Sequence, residues 1–200
     1  MSYDSIVLAS RSPRRSQLLH QIGIPHEVLR VDFDEERLPG EAPQGYVERL
    51  ARDKALHARR QHPELDGRAL LAADTAVVLG GTIFGKPRDE QDCMHMMGEL
   101  SGRVHEVMTA VALHDGATMR AAVSVSRVAF RALGEAERRA YWATGEPADK
   151  AGGYAVQGLG AVFIERIEGS YSGVMGLPLF ETALLLSAAG IPAWQGSREG

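Results

Sequence analysis

The sequence has almost no cysteine: Cys93 stands alone, so no disulfide can form within the chain. That usage fits a reducing compartment and a fold held together by its own core. No run of about 18 apolar residues occurs, so no membrane span is expected. The N-terminus carries Asp4 and has no basic stretch leading into a long apolar one, so no secretory signal is read. An excess of positive charge is missing too. The 22 Lys and Arg are interspersed with 26 Asp and Glu, for a net charge of −4. Proteins dominated by nucleic-acid phosphate contacts need the opposite balance, so any anion site must be local. There is no internal repeat, no low-complexity tract and no Gly-x-Ser-x-Gly elbow, and the seven histidines show no ligand spacing. What remains is ordinary globular composition, 44% hydrophobic and 24% charged, at a length that suits one domain or two small lobes around a shared sheet. A cytoplasmic protein without nucleic-acid or membrane partners is expected, with a homodimer left open.

Strand-like and helix-like stretches alternate, which predicts an α/β architecture. Ser5–Ala9 reads as a short buried strand. Ser12 suits an N-cap and Pro13 a first helical position, with Gly23 as the stop. Val28–Val31 reads as a strand running into the acidic loop Asp32–Glu36. Pro43–Arg60 carries an apolar stripe at helical spacing, and Leu70–Leu79 is an apolar run broken only by Asp74-Thr75. Asp89 is placed to cap a helix ending near Leu100. Val104–His114 and Met119–Arg131 read as a long hairpin around Asp115-Gly116, a type I′ signal. Glu135–Thr144 reads as a short helix. Tyr154–Gln157, Ala161–Ile167 and Tyr171–Met175 are expected strands, and Pro178 starts a final helix. The hairpin indicates a mixed sheet. Residues 1–192 are expected to form one catalytic domain and 193–200 a flexible tail.

Three arginines, Arg11, Arg14 and Arg15, stand where a strand turns into a helix. The start of a helix already carries partial positive charge, so cations there make sense if an anion binds; a solvated basic turn is the plainer alternative. Asp74 in the middle of an apolar strand would be costly to desolvate without a metal ion, a lysine or an ordered water. Lys54 sits on the apolar stripe of its helix, where a lone lysine ordinarily snorkels. Pairing becomes the better explanation if it faces the same cleft as Asp74. Gly80–Lys86 has the spacing of a phosphate loop, but Pro87 replaces the Ser or Thr that would hold Mg²⁺, so that motif is rejected. Lys86 can still present a cation. In the acidic loop, Glu35 with Asp74 could supply the one or two carboxylates that Mg²⁺ takes alongside substrate phosphates. Cys93, Met94, Met96 and Met97 on one helix read as core packing. Together these residues suggest a polyphosphate and a divalent cation.

At this point the pattern resembles the Maf family. The resemblance rests on Ser10-x-Ser12-Pro13-Arg14-Arg15, Arg49-Leu50-Ala51-Arg52-x-Lys54-Ala55, Ala73-Asp74-Thr75, Lys86-Pro87-Arg88-Asp89 and Leu100-Ser101-Gly102-x-x-His105-x-Val107-Met108-Thr109. It continues through Asp149-Lys150-Ala151-Gly152, Gln157-Gly158-Leu159-Gly160, Gly169-Ser170-Tyr171 and Val174-x-Gly176-Leu177-Pro178. Each motif is short, but they run in order over nearly the whole chain. The resemblance implies a nucleoside triphosphate pyrophosphatase of the cytoplasm. The implied fold is like that of the inosine triphosphate pyrophosphatases, an elongated mixed sheet with flanking helices and two lobes around a central cleft. Arg14, Thr75 and Gln157 are similar to the subgroup acting on dTTP and UTP; the subgroup preferring 7-methyl-GTP has Trp, Gln and Glu there. The resemblance makes Asp74 the general base and a metal ligand with Glu35. It places Ser10, Arg14, Arg15, Lys54 and Lys86 on the phosphates and implies Mg²⁺ or Mn²⁺ as cofactor. An alternative is a nucleotide-sensing regulator of septum formation without essential catalysis. A phosphate-monoester phosphatase is a third.

Overall fold

The structure is a computed structural model that describes residues 5–194; Gln195–Gly200, the larger part of the expected tail, lies outside the described residues. Its first strand, β1 (Ile6–Ala9), is buried along its whole length, as four consecutive apolar residues require. It is flanked in parallel by β2 (His26–Leu29) and β3 (Leu70–Leu79). β3 then pairs antiparallel with β4 (Thr82–Phe84) on one edge and with β5 (Val104–His114) on the other. The sheet continues antiparallel through β6 (Met119–Phe130) to β7 (Ile164–Glu168), giving the order β2-β1-β3-β5-β6-β7. This is a seven-stranded mixed sheet with flanking helices.

α1 (Pro13–Gln21) follows β1 and buries Leu18 and Leu19. α2 (Pro43–Gln61) lays Val47, Leu50, Ala51, Ala55 and Ala58 on the sheet. α3 (Glu90–Leu100) is capped by Asp89, whose carboxylate accepts from the Asp92 N–H at 2.8 Å. Cys93, Met96 and Met97 are core residues of α3. α4 (Glu135–Ala143), α5 (Tyr171–Met175) and α6 (Leu179–Ala188) complete the set.

Side chains alternate along β3 and β5, and on one face the alternation divides the core in two. Leu71 and Ala73 with Val111 and Leu113 belong to a cluster that includes Ile6, Leu19 and Leu186. Val77 with Val107 belong to another, around Met97, Leu100, Phe130, Tyr141 and Phe163. The paired Thr75 and Thr109 stand between the two. Two small cores on one sheet leave room for a cleft at their junction.

Five local expectations are corrected. β2 starts and ends two residues early, because β1 is only four residues long and the ladder stops at Ala9 opposite Leu29. The β5–β6 connection is a four-residue loop, 115–118, and not a two-residue type I′ turn. Asp115 Oδ1 accepts from the Ala117 and Thr118 N–H groups, and Gly116 takes φ 98°. Tyr154–Gln157 is a turn, and Ala161–Phe163 lies in a 3-10 turn before β7. Tyr171–Met175 is the helix α5. Ser170 caps it through the Gly173 N–H at 2.9 Å, a local bond that favours a helix start over a strand.

Candidate active site

The cleft follows from strand lengths. On one edge of β3, β1 pairs with residues 70–72 and β4 with residues 77–79. Among the described residues, no strand pairs with 73–76 on that edge. Asp74 and Thr75 fall in this gap, one on each face of the sheet, so both can reach a single opening. The cleft there encloses about 860 Å³. Ser10, Arg14, Arg15, Glu35, Lys54, Asp74, Thr75, Lys86 and Gln157 all line it, which is every residue singled out above as a site candidate.

Asp74 is 6% exposed, and Lys54 is its partner. The ammonium donates to Asp74 Oδ1 at 2.6 Å and to Glu35 Oε1 at 2.5 Å. Lys54 therefore does not snorkel to water; its own stripe points it under the sheet edge. Burial pushes the Asp74 carboxyl above the ordinary aspartate range, and Lys54 and Arg15 pull it back only in part. Burial also disfavours charge on Glu35, but Lys54, with Lys86 and Arg15, holds its carboxyl below the usual glutamate range. Two carboxylates on one ammonium thus differ in proton affinity. Glu35 is presented by α2. The Tyr46 hydroxyl donates to the Glu35 carbonyl at 3.0 Å, and Arg49 donates to the Glu36 carbonyl while clamping Glu41 at 2.6 and 2.8 Å.

The consecutive arginines part ways. Arg15 bonds the Gly176 carbonyl at 2.8 Å, Ser10 Oγ at 3.2 Å and Thr75 Oγ1 at 3.3 Å. Burial lowers its pKa against the attraction of Asp74 and Glu35. Arg14 donates to the Met175 carbonyl at 3.3 Å and lies 3.9 Å from Asp149; burial lowers its pKa against Asp149 and Glu146. Arg15 thus belongs to the Asp74 side of the cleft and Arg14 to the side that carries Gln157. Ser12 makes no side-chain cap, and Ser10 Oγ instead accepts from its N–H at 3.1 Å. Thr75 Oγ1 is 3.0 Å from Thr109 Oγ1, which donates to the Gly173 carbonyl at 2.7 Å. A hydroxyl has one proton, so the order runs Arg15 to Thr75 to Thr109 to Gly173.

Tyr46, Thr109 and the carbonyls of Met175 and Gly176 were given no role from sequence. Thr109 was the one with a signal, a polar residue two positions along from Val107 in an apolar strand. His105 is buried and bonds the Tyr154 hydroxyl at 2.8 Å; burial pushes its pKa down to about 4. Glu35 and Asp74 offer two carboxylate oxygens converging on one cation. Among the described residues, no group of three or more His, Cys, Asp or Glu could hold a metal by itself.

A cleft lined by three arginines and three lysines, with Asp74 and Glu35 paired among them, is built for a polyanion. The family model for Maf-like protein matches residues 5–189, and the chain belongs to that family. Among its relatives is the dTTP/UTP pyrophosphatase of Methylococcus capsulatus, 54% identical over 186 residues, covering 93% of this chain and 91% of that one. The dTTP/UTP pyrophosphatases of Saccharophagus degradans and Aromatoleum aromaticum are each 52% identical, over 95% and 94% of this chain and 91% and 96% of theirs. Among solved structures, the Staphylococcus aureus Ham1 protein matches with a TM-score of 0.45 and 14% identity over 80% of each chain. No helix is long and apolar enough to cross a membrane among the described residues.

Proposed function

We propose that this protein is a nucleoside triphosphate pyrophosphatase that hydrolyses dTTP and UTP to the monophosphate and pyrophosphate. The observation that carries the chemistry is Asp74: a buried carboxylate of raised proton affinity at a sheet-edge gap, surrounded by cations. The named activity of the relatives supports the substrate.

Asp74 takes a proton from the water that attacks the α-phosphorus. The water oxygen bonds phosphorus as the bond to the α,β-bridging oxygen breaks, and pyrophosphate leaves. Arg15, Lys54 and Lys86 line the space in which the triphosphate charge is neutralised. Glu35 stays ionised on Lys54 and keeps that ammonium aimed at Asp74. The donor chemistry fits a hard divalent cation: two carboxylate oxygens are too few for a protein-only site, and the phosphates would complete the shell. Glu35 and Asp74 would hold Mg²⁺ or Mn²⁺, which supplies charge neutralisation of the triphosphate when bound. Gln157, exposed and lining the cleft, offers amide donors and an acceptor to a pyrimidine edge.

The test is a panel of dTTP, UTP, CTP, GTP and 7-methyl-GTP, with pyrophosphate and orthophosphate measured separately, with and without chelator. Pyrophosphate release from dTTP and UTP, lost on chelation, is expected. Orthophosphate release, preference for 7-methyl-GTP, or full activity after exhaustive chelation would each defeat part of the proposal.

A further inference from the structure

No strand or helix holds the residues around Gln157. Residues 155–158 form a turn closed by the Gly158 N–H on the Ala155 carbonyl at 3.3 Å, with Gln157 third in it. On the entering side the Ala155 N–H donates to the Tyr141 hydroxyl at 3.1 Å. On the leaving side the Leu159 N–H donates to Glu146 Oε2 at 2.9 Å and the Gly160 N–H to Glu146 Oε1 at 3.0 Å. The Tyr141 hydroxyl gives its one proton to Glu146 Oε1 at 2.7 Å, so towards Ala155 it can only accept. One tyrosine–glutamate pair thus takes backbone N–H groups from both flanks of Gln157.

The spacing of small residues matches this approach. A Cβ added at Gly158 would lie 2.1 Å from Glu146 Oε2, and one at Gly160 2.7 Å from the Tyr141 hydroxyl oxygen. Burial works against charge on Glu146, yet Tyr141 and the two backbone N–H groups hold its carboxyl below the usual range. An acceptor-only group is needed there, because an amide would turn N–H bonds against the backbone donors. Neither residue lines the cleft.

We propose that Tyr141 and Glu146 are positioning residues that set pyrimidine selectivity by fixing the turn that presents Gln157; this rests on the dTTP/UTP activity proposed above. Neither lines the cleft, and of the two only the charge of Glu146 acts on Arg14, so Tyr141→Phe, which keeps that charge, separates the turn from the phosphate half of the site.

The experiment compares wild type with Glu146→Gln, Tyr141→Phe and Gly158→Ala. It reads kcat/KM for dTTP and GTP, and inhibition by dTMP and by inorganic tripolyphosphate. Each variant is expected to lower the dTTP-to-GTP ratio about tenfold, the scale of one lost hydrogen bond to a charged group. The loss should appear in KM and in weaker dTMP inhibition, with kcat unchanged and, in Tyr141→Phe and Gly158→Ala, which keep the Glu146 charge near Arg14, tripolyphosphate inhibition unchanged as well. A ratio unchanged in folded variants overturns the clamp while the pyrimidine activity stands. So does an equal fall for both nucleotides together with tripolyphosphate binding, which is a merely structural loss. Tyr141→Phe, which keeps the ring and its packing, decides the matter if Glu146→Gln does not fold. A wild type that cleaves GTP as well as dTTP overturns the function proposed above, and the clamp with it.

Discussion

The two walls of the cleft are built by different means. One wall is regular. Asp74 is placed by a ten-residue strand, Lys54 by a nineteen-residue helix, and the gap between them by where β1 and β4 stop. The other wall, drawn from residues 149–157 and 174–176 on either side of β7, lies in 3-10 turns, a tight turn and a five-residue helix. Its shape comes from side chains bonded to backbone far along the sequence: Tyr141 to Ala155, Glu146 to Leu159 and Gly160, Thr109 to Gly173, and Ser126 to Ser170. The regular wall carries Asp74 and Lys54, to which the proposed mechanism assigns the chemistry, and the irregular wall carries Gln157, the amide proposed to read the base. In that proposal chemistry rests on long strand and helix, and selectivity on a turn that a few hydrogen bonds define.

The sharpest break of this comparison is Asp74→Asn. The shape is kept and proton acceptance is lost, so kcat should fall by roughly 10²–10⁴-fold with the nucleotide ranking unchanged. Steady-state kinetics on the folded variant reads both quantities. Near wild-type turnover would remove Asp74 as base.

A smaller effect separates the charged wall by pH. Asp74 must be ionised to accept a proton, and its affinity for a proton is raised, so kcat/KM should fall on acidification earlier than an ordinary aspartate would dictate. Lys54 counters that rise. Lys54→Met should therefore move the acid limb to still higher pH while lowering the plateau. The pH profile of kcat/KM checks this, and an unmoved limb would detach Lys54 from the ionisation of Asp74.

The smallest effect is expected at the joint between the walls. Thr109→Val removes one of two donors to the Gly173 carbonyl, which keeps the Gly176 N–H at 3.0 Å, and takes from Thr75 the acceptor of its hydroxyl, at a fully buried position 109. The cost should be about 0.5–1.5 kcal/mol of stability by denaturant titration, the net worth of a hydrogen bond whose acceptor keeps another donor, with activity only modestly lowered. A larger loss of selectivity than of stability would make Thr109 part of the substrate site.

The same contrast explains what sequence made legible. Asp74 and Lys54 were visible because each breaks a period: a carboxylate in an apolar strand, a lysine on an apolar stripe. The bounds of β3 follow directly from that run. Within 154–175 the strand signal holds for β7, whereas around it the glycines and β-branched residues match a strand signal but the backbone donors are taken by Tyr141, Glu146 and Ser170, two of them distant in sequence. Periodicity describes an element's own neighbours and carries no information about such bonds. Gln157 was found by resemblance alone.

The most direct test of the central claim is hydrolysis of dTTP in ¹⁸O-labelled water. Attack at the α-phosphorus with Asp74 as base places the label in dTMP and leaves the pyrophosphate unlabelled, and Asp74→Asn yields almost none of either product. Label in pyrophosphate, or release of labelled orthophosphate, would contradict the account.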